Sequence, residues 1–522
     1  MTDSSIDREF LPTDDVPPPT VAENSYSQIL KSSSIIGGSQ VINMVIGLVR
    51  TKLVAILIGP SGVGLLGIFQ SITGLASTVA GLGIQTSGVR EIAKFHGTEN
   101  HFEVARTVIT LQRVSWFTGV AGMLLLTLLA PQISVISFGS QDYTWSIIAL
   151  GVTVLVGNIS GGQGAVIQGT RRIGDLARVS ILSALFGTLI SVGLYAWLGV
   201  DGIVPSLVVM SFVSLGISTF YATKINIAKV KTSWQASWKQ SGKMIKFGLA
   251  MVASGVVSAI VTYFTRVLII REFDLAAAGI FTAAFSLSGM FVQFVLGAMG
   301  ADFYPRLTAI SNDHPRMNQL INEQTEIGLL LAFPGLLVTL VLAPYALAIF
   351  YTKEFASADG MLTWFIIGCM GRVISWPLGF SLLAKGQGGL YMATETSFQI
   401  VHLGLIWLGI KTIGLVGASV AFAVLYFFYT IGMILVTWQN IGFAWSADVW
   451  RQVAWMTPLA TVVLIVVAFL PQWVALPVGM VISAASGIQC LRQLTLRLGR
   501  DHKIPRTIQF IPGGNYLLHG LW

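Results

Sequence analysis

Charge is what this chain has least of: only 10% of its residues are Asp, Glu, Lys or Arg. A soluble domain carries about a quarter, so a soluble globular fold is excluded. The two cysteines, Cys369 and Cys490, both lie in apolar stretches. They offer neither a disulfide framework nor metal-ligand spacing, which sets redox and thiolate-metal chemistry aside. The six histidines are scattered without metal spacing, and His402, inside an apolar segment, reads as a packed or pathway-lining group. No glycine-rich phosphate loop ending in Gly-Lys-Ser or Gly-Lys-Thr occurs, and no soluble stretch is long enough to house a nucleotide, so direct ATP coupling is not expected. Residues 1–24 carry Asp3, Glu9, Asp14, Asp15, Glu23 and the run Pro17-Pro18-Pro19 without an apolar core. They read as a disordered cytoplasmic tail rather than a signal peptide. No cofactor is implied, the expected role is not enzymatic, and nucleic acid is not an expected partner, because the net charge of +8 is distributed for another purpose.

What is abundant is apolar surface. Hydrophobic residues make up 54% of the chain, mean hydropathy is +0.75, and most of the 55 glycines fall inside apolar segments, where small residues let helices approach closely. About 14 segments reach the roughly 20 apolar residues that a bilayer requires: 31–58, 62–89, 107–130, 144–168, 176–198, 203–223, 247–270, 276–303, 322–344, 361–384, 390–410, 414–438, 450–470 and 472–492. Gly59-Pro60-Ser61 holds turn residues that stop a helix between the first two.

Lysine and arginine set the orientation. Clusters such as Arg90 with Lys94, Arg171 with Arg172 and Arg178, and Lys224 to Lys246 all fall on one side, together with both chain ends. The other side receives Arg271, Lys353 and Lys411. The sequence therefore predicts cytoplasmic termini. The linker around Lys229 to Lys246, with Trp234 and Trp238 among its lysines, suits either an amphipathic segment on an anionic leaflet or a solvated connection with interfacial tryptophans. Membrane lipids are expected partners in both cases.

The apolar pattern repeats at about 210 residues. Leu129-Ala130-Pro131 is echoed by Leu342-Ala343-Pro344, Trp197-Leu198-Gly199 by Trp407-Leu408-Gly409, and Gly202-Ile203-Val204 by Gly414-Leu415-Val416. With an even number of spans per copy, both copies enter the membrane the same way up, as in transporters built from parallel repeats. The expected fold class is an all-α polytopic membrane protein with two six-helix bundles related by a parallel pseudo-two-fold repeat, plus two C-terminal helices. The expected divisions are the tail at 1–24, bundles at 25–228 and 247–440, a linker at 229–246, two further spans within 441–494, and a cytoplasmic tail at 495–522.

Four basic residues lie inside the spans: Arg50, Lys52, Arg266 and Arg372. Arg372 is the strongest site candidate. It stands at mid-span, where an arginine costs roughly 2.5–3.5 kcal/mol on insertion scales, and no acid lies one helical turn away. Trp376-Pro377 follows and should kink or interrupt the helix; carbonyls freed by that kink are the alternative explanation for the arginine. Arg50 shares a helical face with Ser32, Ser39 and Asn43, whereas Lys52 points to nearly the opposite face and can snorkel. Overlaying the copies puts Arg266 one residue from the place of Arg50, on a face shared with Thr262 and Tyr263, though it too stands near a span end. Asn43 and Tyr263 complete the candidate cavity residues. Arg372 has no basic counterpart in the first copy, where 155–159 reads LVGNI. Deep cations with few deep acids (Asp302 and Glu395, both nearer span ends) favour an anionic passenger, and an arginine fork suits a diphosphate.

The stretch LVAILIGPSGVGLLGIFQSITGLASTVAGLGIQTSGVREIAKF, residues 53–95, resembles the first two spans of Wzx-type O-antigen and oligosaccharide flippases. QGTRRIGDLARVSILSALFG (168–187), NEQTEIGLLLAFPG (322–335) and RVISWPLGFSLLAKG (372–386) have the same look, and the likeness covers roughly residues 30–440. The resemblance implies the multidrug/oligosaccharidyl-lipid/polysaccharide exporter fold in the bacterial inner membrane. It implies as substrate a short oligosaccharide on undecaprenyl diphosphate, flipped to the periplasmic leaflet by alternating access through a cationic cavity. Arg50, Lys52, Arg266 and Arg372 are where that cationic role would fall, and glycan polymerase or assembly proteins would be further partners. Two rival readings are a small-molecule antiporter on the same fold and an envelope glycosyl polymerase. The polymerase would need catalytic groups on a sizeable outer loop, which the sequence does not offer.

Overall fold

In the computed structural model, residues 21–227 and 230–498 are described, and every expected span is helical, those at 62–89 and 322–344 each being shared by two successive helices. Most of the tail expected at 1–24, nearly all of that at 495–522, Lys229, and the side chains of Ser32 and Asp302 lie outside the described residues. The helices are α1 (Val21–Gly81), α2 (Ile84–Gly97), α3 (His101–Phe138), α4 (Thr144–Gly169), α5 (Ile173–Leu198) and α6 (Ile203–Thr223) in the first half. The second half has α7 (Trp234–Glu272), α8 (Leu275–Ala309), α9 (His314–Val341), the short α10 (Ala343–Phe350), α11 (Asp359–Ala384), α12 (Gly388–Ile413) and α13 (Gly417–Ile441). Then follow α14 (Ala447–Phe469) and α15 (Gln472–Leu498). By length and composition, ten stretches of the described residues can cross a membrane. Of these, Gly37–Gly81, Ile173–Thr223 and Gly388–Ile441 each hold two helical limbs.

The chain reverses where backbone chemistry allows. Gly59, at φ 61° and ψ −172°, breaks α1 into two limbs. That left-handed conformation favours glycine, and Pro60 opens the second limb where its missing N–H costs nothing. The single span expected at 62–89 is interrupted: Leu82 and Gly83 both have positive φ. The reason is tertiary, because Gly83 lies backbone to backbone against Gly248 of α7. The amphipathic linker is likewise no separate element from Trp234 onward. It is the first part of α7, capped by the Ser233 hydroxyl, which accepts from the Ala236 N–H. α1 starts at Val21, four residues inside the segment expected to be tail.

The two halves are built alike. α3 packs on α4 as α9 packs on α11, α4 on α6 as α11 on α13, α5 on α6 as α12 on α13, and α1 on α5 as α7 on α12. α4 and α11 are both 26 residues long, as are α5 and α12. Gly199 and Gly414 turn the α5–α6 and α12–α13 corners with positive φ. These turns show that Gly414 matches Gly199, so the sequence echo that paired it with Gly202 is displaced by three residues. α14 and α15 pack outside the repeat against α9. On the side of the bundle that carries both described chain ends, Arg497 reaches Asp448 at 2.6 Å and Glu326 at 2.7 Å, tying these three helices together.

Candidate functional site

The seam between the halves begins with the second limb of α1 lying against α8. A Cβ on Gly64 would run into the carbonyl oxygen of Leu275, and one on Gly279 would run into that of Pro60. Gly64 and Gly279 occupy the same place in the two copies, as do Pro60 and Leu275. The contact is therefore reciprocal, as expected where a pseudo-two-fold axis passes through a crossing. Missing side chains let the two backbones meet here, the small-residue packing common between membrane helices.

Three sequence-predicted residues belong to this seam. The Lys52 ammonium donates to the Ala348 carbonyl at 2.8 Å and to the Tyr351 carbonyl. It thus satisfies carbonyls at the C-terminal end of α10, where a cation is favoured. The Tyr263 hydroxyl pairs with the Ser137 hydroxyl of α3 at 2.8 Å, and its ring is buried. Arg266 stands between α7 and the second limb of α1, 3.3 Å from where a Cβ on Gly67 would be. Among the described residues its Nε is buried without a partner, and its Nη1 donates to the Thr262 carbonyl at 3.5 Å. Lys52 and Tyr263 are thus engaged in joining the halves, while Arg266 keeps donors to spare.

The α1 stripe faces its own half. Asn43 donates to the Ser180 hydroxyl of α5 at 2.7 Å. Arg50 Nη2 lies 3.6 Å from the Met210 thioether of α6. A thioether is a weak acceptor, so the Arg50 guanidinium has no strong protein acceptor among the described residues.

The second half holds a cavity of its own. A cavity of about 260 Å³ runs between α11, α12 and α13, lined by Arg372, Trp376 and Phe380 on α11, Tyr391, Glu395, Phe398 and Gln399 on α12, and Tyr426 and Tyr429 on α13. Arg372 forms no hydrogen bond or ion pair within 4 Å among the described residues, including none to a backbone carbonyl. The helix around it is not interrupted: α11 runs through Pro377, and the Gly371 carbonyl accepts from the Ser375 hydroxyl at 3.0 Å and the Thr430 hydroxyl at 3.4 Å. Because Arg372 donates to no carbonyl among the described residues, a carbonyl freed by Pro377 does not account for the arginine. Glu395 is held as an acceptor by the Tyr429 hydroxyl. The rings brace one another: Trp376 and Phe380 are 4.7 Å apart, and Phe398 and Tyr429 are 4.9 Å apart. Gly379 leaves the space open, since a Cβ there would come within 3.6 Å of the Tyr391 ring and 3.8 Å of the Tyr429 hydroxyl.

None of Arg50, Lys52, Arg266, Asn43 or Tyr263 lines this cavity. Its aromatic wall was not among the sequence candidates, although the signal was present. Tyr391, Glu395, Phe398 and Gln399 share one helical face, and Trp376 and Phe380 follow Arg372 at one and two turns. Such a stripe in an apolar helix usually reads as packing, and only the neighbouring helices turn it into a wall. A second cavity of about 380 Å³ lies at the start of α7. There Arg113 donates to the Ser237 hydroxyl at 2.9 Å and stacks 4.5 Å from the Trp234 ring.

The model of a family described as polysaccharide biosynthesis protein matches residues 53–359. Lipid III flippases of Escherichia coli and Shigella flexneri are each 24% identical over 409 residues, covering 77% of this chain and 96% of theirs. Among solved structures, the lipid II flippase MurJ in an inward closed conformation superposes with a TM-score of 0.66 at 14% identity, covering 88% of this chain and all of that one. An inward-facing multidrug resistance MATE family transporter of the MOP superfamily gives 0.63 at 14% identity, over 77% of this chain and 94% of its own. At such identity the likeness is one of fold.

Proposed function

Because the chain belongs to the polysaccharide biosynthesis protein family, we propose that it is a flippase for a lipid-linked oligosaccharide. The passenger is an O-antigen or related repeat unit on undecaprenyl diphosphate, moved from the cytoplasmic to the periplasmic leaflet of a bacterial inner membrane. Both termini are cytoplasmic in this reading, as the distribution of Lys and Arg requires.

The observation that carries the proposal is Arg372. It stands mid-helix in a multi-pass membrane protein, in a cavity, with no hydrogen-bond acceptor for its guanidinium among the described residues. An unsatisfied cation at that depth is retained for a ligand that supplies the acceptors, and phosphate oxygens fit its planar fork. The flippases to which the chain is similar support the same substrate class. The polyprenyl tail stays in lipid while the head group crosses between the halves, which rock about their seam. Nothing in this movement requires covalent chemistry.

The direct test is Arg372→Ala in cells that depend on this protein for surface glycan. Loss of glycan with accumulation of the lipid-linked precursor, at normal protein level, is the expected result. Unchanged glycan removes Arg372 from the mechanism. Glu395 among aromatic rings is the observation that favours the antiporter reading, since a cationic amphiphile suits such a wall. Arg372 in the same cavity opposes a cation. Export of a soluble cation with no change in lipid-linked sugar would decide for the antiporter.

A further inference from the structure

We propose that the cavity between α11, α12 and α13 is a cage for a single pyranose ring, the sugar joined to the diphosphate, and so the place where this protein reads its glycan. The inference rests on the flippase reading and deepens it.

A site for diphosphate alone would gather cations and exclude acids. This one does otherwise: Glu395 faces the same space as Arg372, and a carboxylate repels phosphate oxygens. Around them α11 contributes the rings of Trp376 and Phe380, and α12 and α13 those of Phe398, Tyr426 and Tyr429, with Leu383 and Leu425 filling in between. A pyranose has both characters that this surface answers. Its C–H faces are apolar and suit the rings, and its equatorial hydroxyls are donors that suit a carboxylate and an amide oxygen. Glu395, fixed by the Tyr429 hydroxyl, and Gln399 supply those acceptors.

Size and depth agree with one ring. The cavity holds about 260 Å³, below the ~300–1,000 Å³ of sites that enclose drug-sized ligands, so a whole repeat unit does not fit. Arg372 is at the middle of α11, and Trp376 and Phe380 follow it toward the side bearing the chain ends. A phosphate on Arg372 therefore places the attached sugar between the rings, with the rest of the glycan outside the cage. Gly379 keeps the space clear. The aromatic contacts among the lining side chains preset the wall, so little ordering is needed when a sugar enters.

The test uses the full chain in nanodiscs and two probes, polyprenyl diphosphate and the same lipid carrying one N-acetylhexosamine, with binding read from tryptophan fluorescence. The wild type should bind the sugar-bearing probe at least tenfold more tightly. Glu395→Gln and Tyr429→Phe, both close in shape to the native residues, should bring that preference down to about twofold or less while elution and melting stay native. Arg372→Lys should weaken both probes together. Equal affinity of the wild type for the two probes overturns the cage and leaves the flippase reading standing. Equal weakening of both probes by Glu395→Gln also overturns it, because Glu395 then acts through Arg372. If the wild type binds neither probe, the flippase reading fails and the cage falls with it.

Discussion

The two halves pair their helices in the same way but fill equivalent positions with opposite chemistry. Aligning α4 with α11 and α5 with α12 end to end sets Arg372 opposite Gly157, Trp376 opposite Gly161, Phe380 opposite Ala165, Glu395 opposite Ser180 and Phe398 opposite Ser183. Through the following turns, Tyr429 falls opposite Ser214. The second half thus has a braced aromatic wall with one cation and one acid. The first has glycine, alanine and serine, with Asn43 and Arg50 reaching in from α1. Bundle architecture needs only that helices pack, and small residues do this as well as large ones. A duplicated scaffold can therefore keep its pairing in both copies and specialise the lumen of one.

The comparison is most sharply tested where the halves are equal. Gly64→Leu and Gly279→Leu should be the most damaging changes, because each side chain meets backbone of the other half and backbone cannot step aside. Overpacking of this kind costs about 1–3 kcal/mol or more, and the two losses in melting temperature should match. Clearly unequal losses would break the symmetry argument. Next in size is Arg372→Ala, expected to lower flipping by about 10- to 100-fold, the worth of one charge-assisted bond. Arg50→Ala should cost less in the same flipping assay, since Arg50 already has the Met210 thioether beside it, whereas Arg372 has no hydrogen-bond acceptor among the described residues. A larger effect at Arg50 would move the head-group site to the first half.

Gly379→Leu and its counterpart Gly164→Leu probe the asymmetry directly. The first fills the cavity, whereas a Cβ on Gly164 meets nothing within 4 Å. Sugar-lipid binding should fall about tenfold in the first and stay within about twofold in the second. The smallest effect belongs to Lys52→Met, which removes the bonds to the end of α10. A loss of about 0.5–1 kcal/mol in thermal stability, with head-group binding unchanged, is expected. Weakened binding would return Lys52 to the cavity.

The sequence made most of the architecture legible because membrane helices must satisfy their own backbone and so announce themselves as apolar runs. The exceptions are local. The break at Leu82-Gly83 follows from Gly248 approaching across the seam, a contact that no window of residues around 82 contains. Pro377 carried a helix-breaking signal, yet α11 continues through it. Among the candidate site residues, Arg372 was legible because a charge at mid-span is expensive wherever it points. Lys52 and Tyr263 were not separable from it by such reasoning. Their engagement depends on the Ala348 carbonyl and the Ser137 hydroxyl, each far away in the chain.

The sequence by itself determined an all-helical membrane protein, its parallel duplication and the presence of deep cations, since all three follow from the composition and period of single segments. The tertiary structure alone decided which of the cations are engaged and which keep free donors, which residues form the seam, and that tyrosines and a glutamate from two neighbouring helices close around Arg372. Hydropathy is a property of one helix at a time. A cavity is a property of several, and its chemistry appears only once packing has brought their faces together.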